Sequence, residues 1–306
     1  MNTIGRASIG VIGGSGLYAM EGLTRVRDVR VTTPFGPPSD AVVLGDLDGV
    51  QVAFLARHGQ GHRLSPSEIN YRANIYALKK LGVERILSVS AVGSMKEALH
   101  PGHVVIPDQF YDQTKRRIGT FFEQGLVAHV GLADPVCGDE AGKLAKAARA
   151  CGATVHEGGM YLCIEGPQFS TRAESRIYRQ WGVDVIGMTN LPEAKLAREA
   201  SLCYATMALV TDFDCWHEGH EAVTVDAVIA TLRRNVALSQ RVIRAVAPAL
   251  AGARSCACAR ALESAVITAP DRIPVATRKR LALLLGAPSP GKAGKSSKAG
   301  KPRTQK

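Results

Sequence analysis

The sequence predicts an α/β fold: a single domain with a mixed central β-sheet flanked by helices, followed by a disordered basic tail. Three observations carry this expectation. Short apolar runs suited to buried strands alternate with helical patterns from Ala7 to Ala247. Two of the runs meet at Asp48-Gly49, a hairpin signal that adds antiparallel pairing. Several runs end in glycine or in charged residues, most sharply where Cys203 to Val210 gives way to Asp212 and Asp214. Charges at the carboxyl end of a strand in an α/β sheet lie where ligands bind. The i, i+2 spacing also keeps both acids on one side of an extended chain. A solvated turn or a helix cap is the ordinary alternative.

The elements follow in order. Ala7 to Ile12 is a strand entering Gly13-Gly14-Ser15-Gly16, and Ala41 to Leu47 with Val50 to Ala56 forms the hairpin. Ser67 is expected to cap a helix through Lys80, with Glu68 in its first turn and Gly82 ending it. Arg85 to Ser90 and His103 to Ile106 are strands, and Gly138 to Cys151 has helical spacing. Met160 to Ile164 is strand-like. Thr171 with Glu174 makes a capping box for a helix reaching Trp181. Val183 to Met188 is a buried strand, Glu193 to Ala200 a helix, and Thr224 opens the longest helix towards Ala247. No internal repeat or interdomain linker interrupts this order, so 1–285 reads as one domain and 286–306 as a tail.

Composition narrows the class. Of 306 residues, 46% are hydrophobic, enough for a packed core, and mean hydropathy is near zero, as for a soluble protein. No run reaches the roughly 18 apolar residues of a membrane span, and a secretory signal is not expected, because no basic segment is followed by a long apolar stretch and a small-residue cleavage site at the N-terminus. Seven scattered cysteines suit a reducing cytoplasm. Cys256-Ala257-Cys258 is a close pair with no metal-like partner pair in the sequence, so no metal is expected. The net charge is +11, but nine Lys or Arg and no acid fall in 278–306, leaving +2 for the rest. A near-neutral body argues against a broad nucleic-acid-binding face. From Gly286 onward the Gly, Ser, Pro and Lys content cannot offset ordering entropy.

Two phosphate-loop look-alikes in the tail fail. Ala293 follows Lys292 where Ser or Thr is needed, and Ser289 replaces the first glycine before Gly294-Lys295-Ser296. His217-Glu218-Gly219-His220 misses the zinc-protease spacing by one residue. Gly13 to Gly16 lacks both the dinucleotide spacing and a nucleophile elbow, since Leu17 stands where the elbow needs glycine. It can still be a tight turn or an anion-binding loop. Arg57-His58-Gly59 at a strand end suits a phosphate dianion, or is a surface pair, or opens a histidine-phosphatase motif. Glu165-Gly-Pro-Gln-Phe-Ser-Thr-Arg-Ala-Glu174 is the most distinctive segment: a carboxylate, a rigid turn, an aromatic, two hydroxyls and a capped helix.

Taken together, Gly10 to Leu17, Leu55 to Gly59, Asn70 to Asn74, Glu165 to Glu174, Met188-Thr189 with Pro192-Glu193, and Thr211 to Trp216 resemble the trimeric purine nucleoside phosphorylase family, and within it the 5′-methylthioadenosine phosphorylases. The likeness runs from about Ile9 to Ala247 and fades after Ala253. It implies a nucleoside phosphorylase-like fold, a homotrimer, and phosphate attack on C1′ of a nucleoside as the purine departs. Phosphate would contact Ser15, Arg57, His58, the Ser90-Ala91 backbone and Thr189. Met188 would lie against the ribose, and Phe169 and Ser170 would line the base and sugar pocket. Asp212, where 6-oxopurine enzymes of the family carry Asn, would accept from N6 of adenine and protonate N7, with Asp214 beside it. His129 of a neighbouring subunit, Val225 and Ile229 would surround a 5′-methylthio group. No cofactor is implied, only inorganic phosphate as co-substrate, and nucleic acid and membrane are not expected partners. The alternatives are a phosphorylase of adenosine, of 6-oxopurine nucleosides or of methylthioinosine, a histidine phosphatase, and a nucleic-acid binder acting through the tail.

Overall fold

The computed structural model describes residues 6–217 and 225–286. The sheet begins with β1 (Ile9–Gly13), β2 (Leu23–Val29), β3 (Val42–Leu47) and β4 (Val50–Ala56), then β5 (Arg85–Ser94), β6 (Val104–Ile106) and β7 (Gln109–Asp112). It is completed by β8 (Val155–Glu157), β9 (Met160–Cys163), β10 (Val185–Gly187) and β11 (Cys203–Asp212). The main order is β2-β3-β4-β1-β5-β10-β9-β7, with β11, β6 and β8 branching from β5. Pairing is mixed, as expected: β3 and β4 are antiparallel through the Asp48-Gly49 turn, where both residues have positive φ. In contrast β1 runs parallel to β4 and β5, and β5 parallel to β11. β2, β7 and β8 carry no clear apolar signal in the sequence.

The central strands are hydrophobic on both faces, and their alternation splits the core in two. Ile12, Leu55 and Ile86 join one cluster, while Val11, Phe54 and Leu87 join the other. Helix α1 (Tyr71–Lys80) covers the first face with Ile75 and Leu78; α2 (Gly138–Ala150) covers the second with Leu144 and Ala148. α3 (Arg172–Gln180) starts with the predicted capping box, Thr171 and Glu174 satisfying each other's backbone N–H. α4 (Asn190–Glu199) packs on the first face, and the long α5 (Val225–Leu250) packs Val242 and Val246 on the second. Two short helices, α6 (Val275–Arg280) and α7 (Ala282–Leu285), close the described chain.

One predicted boundary is corrected. Ser67 does not cap α1: the cap is Asn70, whose side chain accepts from the N–H of Ala73, while the Ser67 hydroxyl donates to Glu165. An asparagine three residues closer to the helix wins the cap, which frees Ser67 for a long-range contact. Among the described residues no helix is long and apolar enough to cross a membrane. The tail residues 287–306, and with them both phosphate-loop look-alikes, lie outside the described residues.

Candidate active site

Because β1, β4, β5 and β11 are mutually parallel, their carboxyl ends reach one edge of the sheet, and a cavity of about 960 Å³ opens there. Its lining includes Gly13, Gly14 and Gly16 after β1, Arg57 and His58 after β4, and Ser90 to Gly93 on β5. Phe169 and Ser170 before α3, Met188 and Thr189 after β10, Asp212 at the end of β11 and Asp214 beyond it complete the set. Most of the segments singled out in the sequence, distant along the chain, therefore converge, whereas Asn70 to Asn74 begins α1 and does not line the cavity. The side chains of Ser15, Val225 and Ile229 lie outside the described residues, as do Glu218 to His220. His129 is exposed, bonds through its N–H to the Ala265 carbonyl (2.8 Å), and does not line this chain's cavity.

Arg57 is no surface cation, being only 3% exposed. Its Nε and Nη2 form a bidentate pair with Glu193 at 2.9 and 3.0 Å, Nη2 also reaches Ser88 Oγ at 2.7 Å, and Nη1 donates to the Val89 carbonyl at 3.0 Å. Burial works against the guanidinium charge, but Glu193 outweighs it and holds the cation firmly protonated. Glu193 is fully buried and accepts two further bonds, from Ser88 Oγ (3.0 Å) and Tyr204 OH (2.9 Å). The result is a cation fixed in place at the cavity wall, with one Nη1–H still available for an anion. Glu193 was quoted in the sequence resemblance without a role. In the sequence Glu193 is one of two acids in a helix that also carries Lys195 and Arg198, and nothing local marks it as the partner of Arg57.

His58 presents a different donor set. Its Nδ1 lies 2.8 Å from the Leu64 carbonyl, which can only accept, so Nδ1 carries the hydrogen and Nε2 keeps its lone pair. Burial pushes its pKa down to about 4, so the ring is neutral at physiological pH. It stacks on His62 with ring centres 4.1 Å apart. Nearby, Ser90 Oγ sits 3.2 Å from Tyr161 OH and 3.5 Å from Thr189 Oγ1, which gathers hydroxyls at the same end. Tyr161 can approach because Gly187 has no side chain: a Cβ there would stand 1.9 Å from its hydroxyl oxygen.

The two aspartates occupy the other end. β11 bulges between Val210 and Asp212, and Asp214 takes a left-handed φ of 52°. The pair therefore meets the cavity by a turn, not by the simple strand alternation expected. Asp214 N–H donates to Asp212 Oδ1 at 2.8 Å, and Thr211 Oγ1 lies 2.6 Å from Asp212 Oδ2. That hydroxyl also reaches the Val92 carbonyl at 3.2 Å, and one hydroxyl hydrogen cannot serve both acceptors. A proton on Asp212 satisfies both contacts. Burial raises the pKa of Asp212, with the neighbouring Asp214 charge adding to it, and burial raises Asp214 as well. Trp216 anchors the turn, donating from Nε1 to the Ser94 carbonyl at 2.7 Å with the Arg179 guanidinium 3.5 Å from its ring centre. Ser170 Oγ is buried and without a hydrogen-bond partner among the described residues, as a hydroxyl reserved for a ligand would be.

One edge of a parallel sheet thus holds a fixed cation and hydroxyls at one end and buried carboxyls with raised pKa values at the other. The sequence profile of the phosphorylase superfamily matches residues 8–248, a span that contains every one of these groups. The chain belongs to the phosphorylase superfamily. It is 60% identical over 280 residues to an S-methyl-5′-thioadenosine phosphorylase of Geobacter sulfurreducens, covering 91% of this chain and 98% of that one. It is 59% identical over 281 residues to the enzyme of that name from Koribacter versatilis, covering 92% and 96%. Among solved structures, a methylthioadenosine phosphorylase from an Antarctic soil metagenomic library superposes with a TM-score of 0.88 at 54% identity, over 92% of this chain and 99% of that one. The Schistosoma mansoni methylthioadenosine phosphorylase in complex with adenine gives 0.81 at 38% identity, over 87% and 100%. A histidine phosphatase is excluded by this phosphorylase fold.

Arg117 is the residue that sequence reasoning missed altogether. It donates to the carbonyls of Met188 (2.6 Å), Leu191 (2.7 Å) and Glu165 (2.6 Å), tying the 165–170 turn to the strand end that presents Met188 and Thr189. In the sequence it is one basic residue in a Lys-Arg-Arg run, and nothing local separates it from a solvated cation.

Proposed function

We propose that this phosphorylase cleaves 5′-methylthioadenosine with inorganic phosphate, giving adenine and 5-methylthioribose 1-phosphate. The observation that carries the reading is the buried Asp212, poised to hold a proton across the cavity from Arg57, together with relatives of that name at up to 60% identity. Hydrogen phosphate sits at the Arg57 end. Its oxygens accept from Arg57 Nη1, the hydroxyls of Ser15, Ser90 and Thr189, and the Ser90-Ala91 backbone, and its P–OH donates to the neutral His58 Nε2. As the C1′–N9 bond breaks, the phosphate charge stabilises the cationic sugar, Met188 packs against it, and an oxygen of phosphate forms the new C1′–O bond. Asp212 places its proton on N7 of the leaving adenine and Asp214 supports the base. The P–OH proton passes to solvent once the C1′–O bond has formed, and solvent reprotonates Asp212, so the reaction is proton-neutral overall.

Adenine is favoured over 6-oxopurines because Asp212 accepts from the N6 amino group. The 5′-methylthio group lies against Val225, Ile229 and His129 of a neighbouring subunit in a trimer, and no cofactor enters the chemistry. Adenosine is the second reading, since a Schistosoma mansoni relative is described as an adenosine/methylthioadenosine phosphorylase. A substrate panel of methylthioadenosine, adenosine, methylthioinosine, inosine and guanosine, with and without phosphate, separates these. Turnover requiring phosphate and highest for methylthioadenosine is expected. Equal turnover of inosine would refute the adenine assignment, and base release without phosphate would refute phosphorolysis.

A further inference from the structure

Cys256-Ala257-Cys258 has no partner pair along the sequence, but the fold supplies one. The sulfurs of Cys137, Cys203, Cys256 and Cys258 all lie within 4.8 Å of one another, and all four are free thiols. They come from three places: Cys137 caps the start of α2, Cys203 opens β11, and Cys256 and Cys258 follow α5. Cys137, Cys203 and Cys258 are buried and form a small core of their own, with Cys256 packed against it. The Cys203 and Cys256 sulfurs are 3.3 Å apart. A disulfide needs about 2.05 Å. Four thiolates at ~2.3 Å from one tetrahedral zinc stand roughly 3.8 Å from each other. The cluster is a four-cornered set, not two bonded pairs.

Two guanidiniums face the sulfurs, and the buried Glu140 beside Cys137 is pushed well above the ordinary carboxylate range by burial, which favours its neutral form. Arg85, 1% exposed, points Nη1 at Cys203 Sγ (3.9 Å), and Arg198 points Nη1 at Cys258 Sγ (3.9 Å). Four thiolates around a divalent cation leave two negative charges, and these guanidiniums supply two positive ones and N–H donors to sulfur. Asp139 also pairs with Arg85 (3.3 Å), though it is itself shared with Lys143 at 3.0 Å.

We propose that Cys137, Cys203, Cys256 and Cys258 bind one zinc ion that staples the C-terminal segment to the amino end of the central sheet. Binding releases the four thiol protons to solvent and involves no change of oxidation state. The site is structural. β11 carries Cys203 at one end and Asp212 at the other, so nine residue steps of ~3.3 Å put it roughly 30 Å from the carboxyl pair. The stapled segment reaches back over the domain through Ala265 to His129 (2.8 Å) and Thr268 to Val127 (2.8 Å), and it places Leu281 and Leu284 in the first core.

The test is metal analysis of the full-length protein, expressed with zinc supplied and purified without chelator. About one zinc per chain is expected, released by an organomercurial and replaceable by cobalt with a tetrahedral thiolate spectrum. The Cys256→Ser/Cys258→Ser variant should lose the zinc and melt earlier, while its kcat well below the melting point stays unchanged. Cys151→Ser should keep the metal. If the double variant fails to fold, the cobalt spectrum of the intact chain still decides. Zinc-free protein that gives no cobalt–thiolate bands would overturn the site, as would a denatured mass lowered by the hydrogens of one or two disulfides.

Discussion

Glu193→Gln is the sharpest probe of how the anion end is built. Glu193 is fully buried and accepts four hydrogen bonds: two from Arg57, one from Ser88 and one from Tyr204. Glutamine keeps the shape but removes the charge and turns one acceptor into a donor that faces donors. Breaking one partner of a buried ion pair costs about 3–5 kcal/mol, because the remaining charge stays buried. For a chain of this size that corresponds to roughly 5–8 °C in melting temperature. Arg57 then loses its fixed orientation towards the cavity, so the KM for phosphate should rise at least about tenfold, a loss of ~1.4 kcal/mol. The KM for the nucleoside should move much less. Differential scanning calorimetry and initial rates at varied phosphate give both numbers. A variant that melts within a degree of the parent and keeps its phosphate KM would refute the positioning role.

Asp212→Asn should reduce kcat on adenine nucleosides by about 10²–10⁴-fold, the usual worth of a general acid, and partly rescue 6-oxopurines; full activity on methylthioadenosine would refute the proton-donor role. Because burial raises the Asp212 pKa, its proton persists to higher pH than an ordinary aspartate's and kcat should fall as pH rises through that raised value. The same limb should be missing from the residual activity of Asp212→Asn. His58, lowered to about 4, carries the opposite sign. The unfolded chain takes up a proton below about 6.5 that the fold refuses, so stability should drop as pH falls from there towards 4, and His58→Gln should flatten that decline in a melting series. Gly187→Ala puts a methyl 1.9 Å from the Tyr161 oxygen and should cost about 1–3 kcal/mol in chemical denaturation. Adding Tyr161→Phe should recover only part of this, since the ring carbon Cζ would still be 2.6 Å away.

Much of this protein is local in origin. The short apolar run of Ile9, Val11 and Ile12 marks a strand wherever it lies, the Asp48-Gly49 turn needs only its own φ angles, and Thr171 and Glu174 close their box within four residues. The same locality made the strand-end residues legible, because glycine, Arg57-His58 and Asp212 interrupt apolar runs that would otherwise continue. What stayed hidden depended on partners distant in sequence. β2 is mostly exposed and β8 is three residues long, so neither has an apolar pattern to read. Glu193 and Arg57 are 136 positions apart, Arg117 acts on carbonyls, which no side-chain code announces, and Asp214 reaches the cavity through a bulge and a left-handed turn.

The sequence by itself determined the alternating strands and helices, the strand ends that bear chemistry, and a family resemblance specific enough to name the reaction. Only the tertiary structure decided that Arg57 is a buried cation held by Glu193, that His58 is a neutral acceptor, and that Cys256 and Cys258 have partners in Cys137 and Cys203. The division is physical. Backbone preference and hydrophobic period are set by neighbours in the chain, whereas charge state and ligation depend on desolvation and on groups within a few ångströms in space.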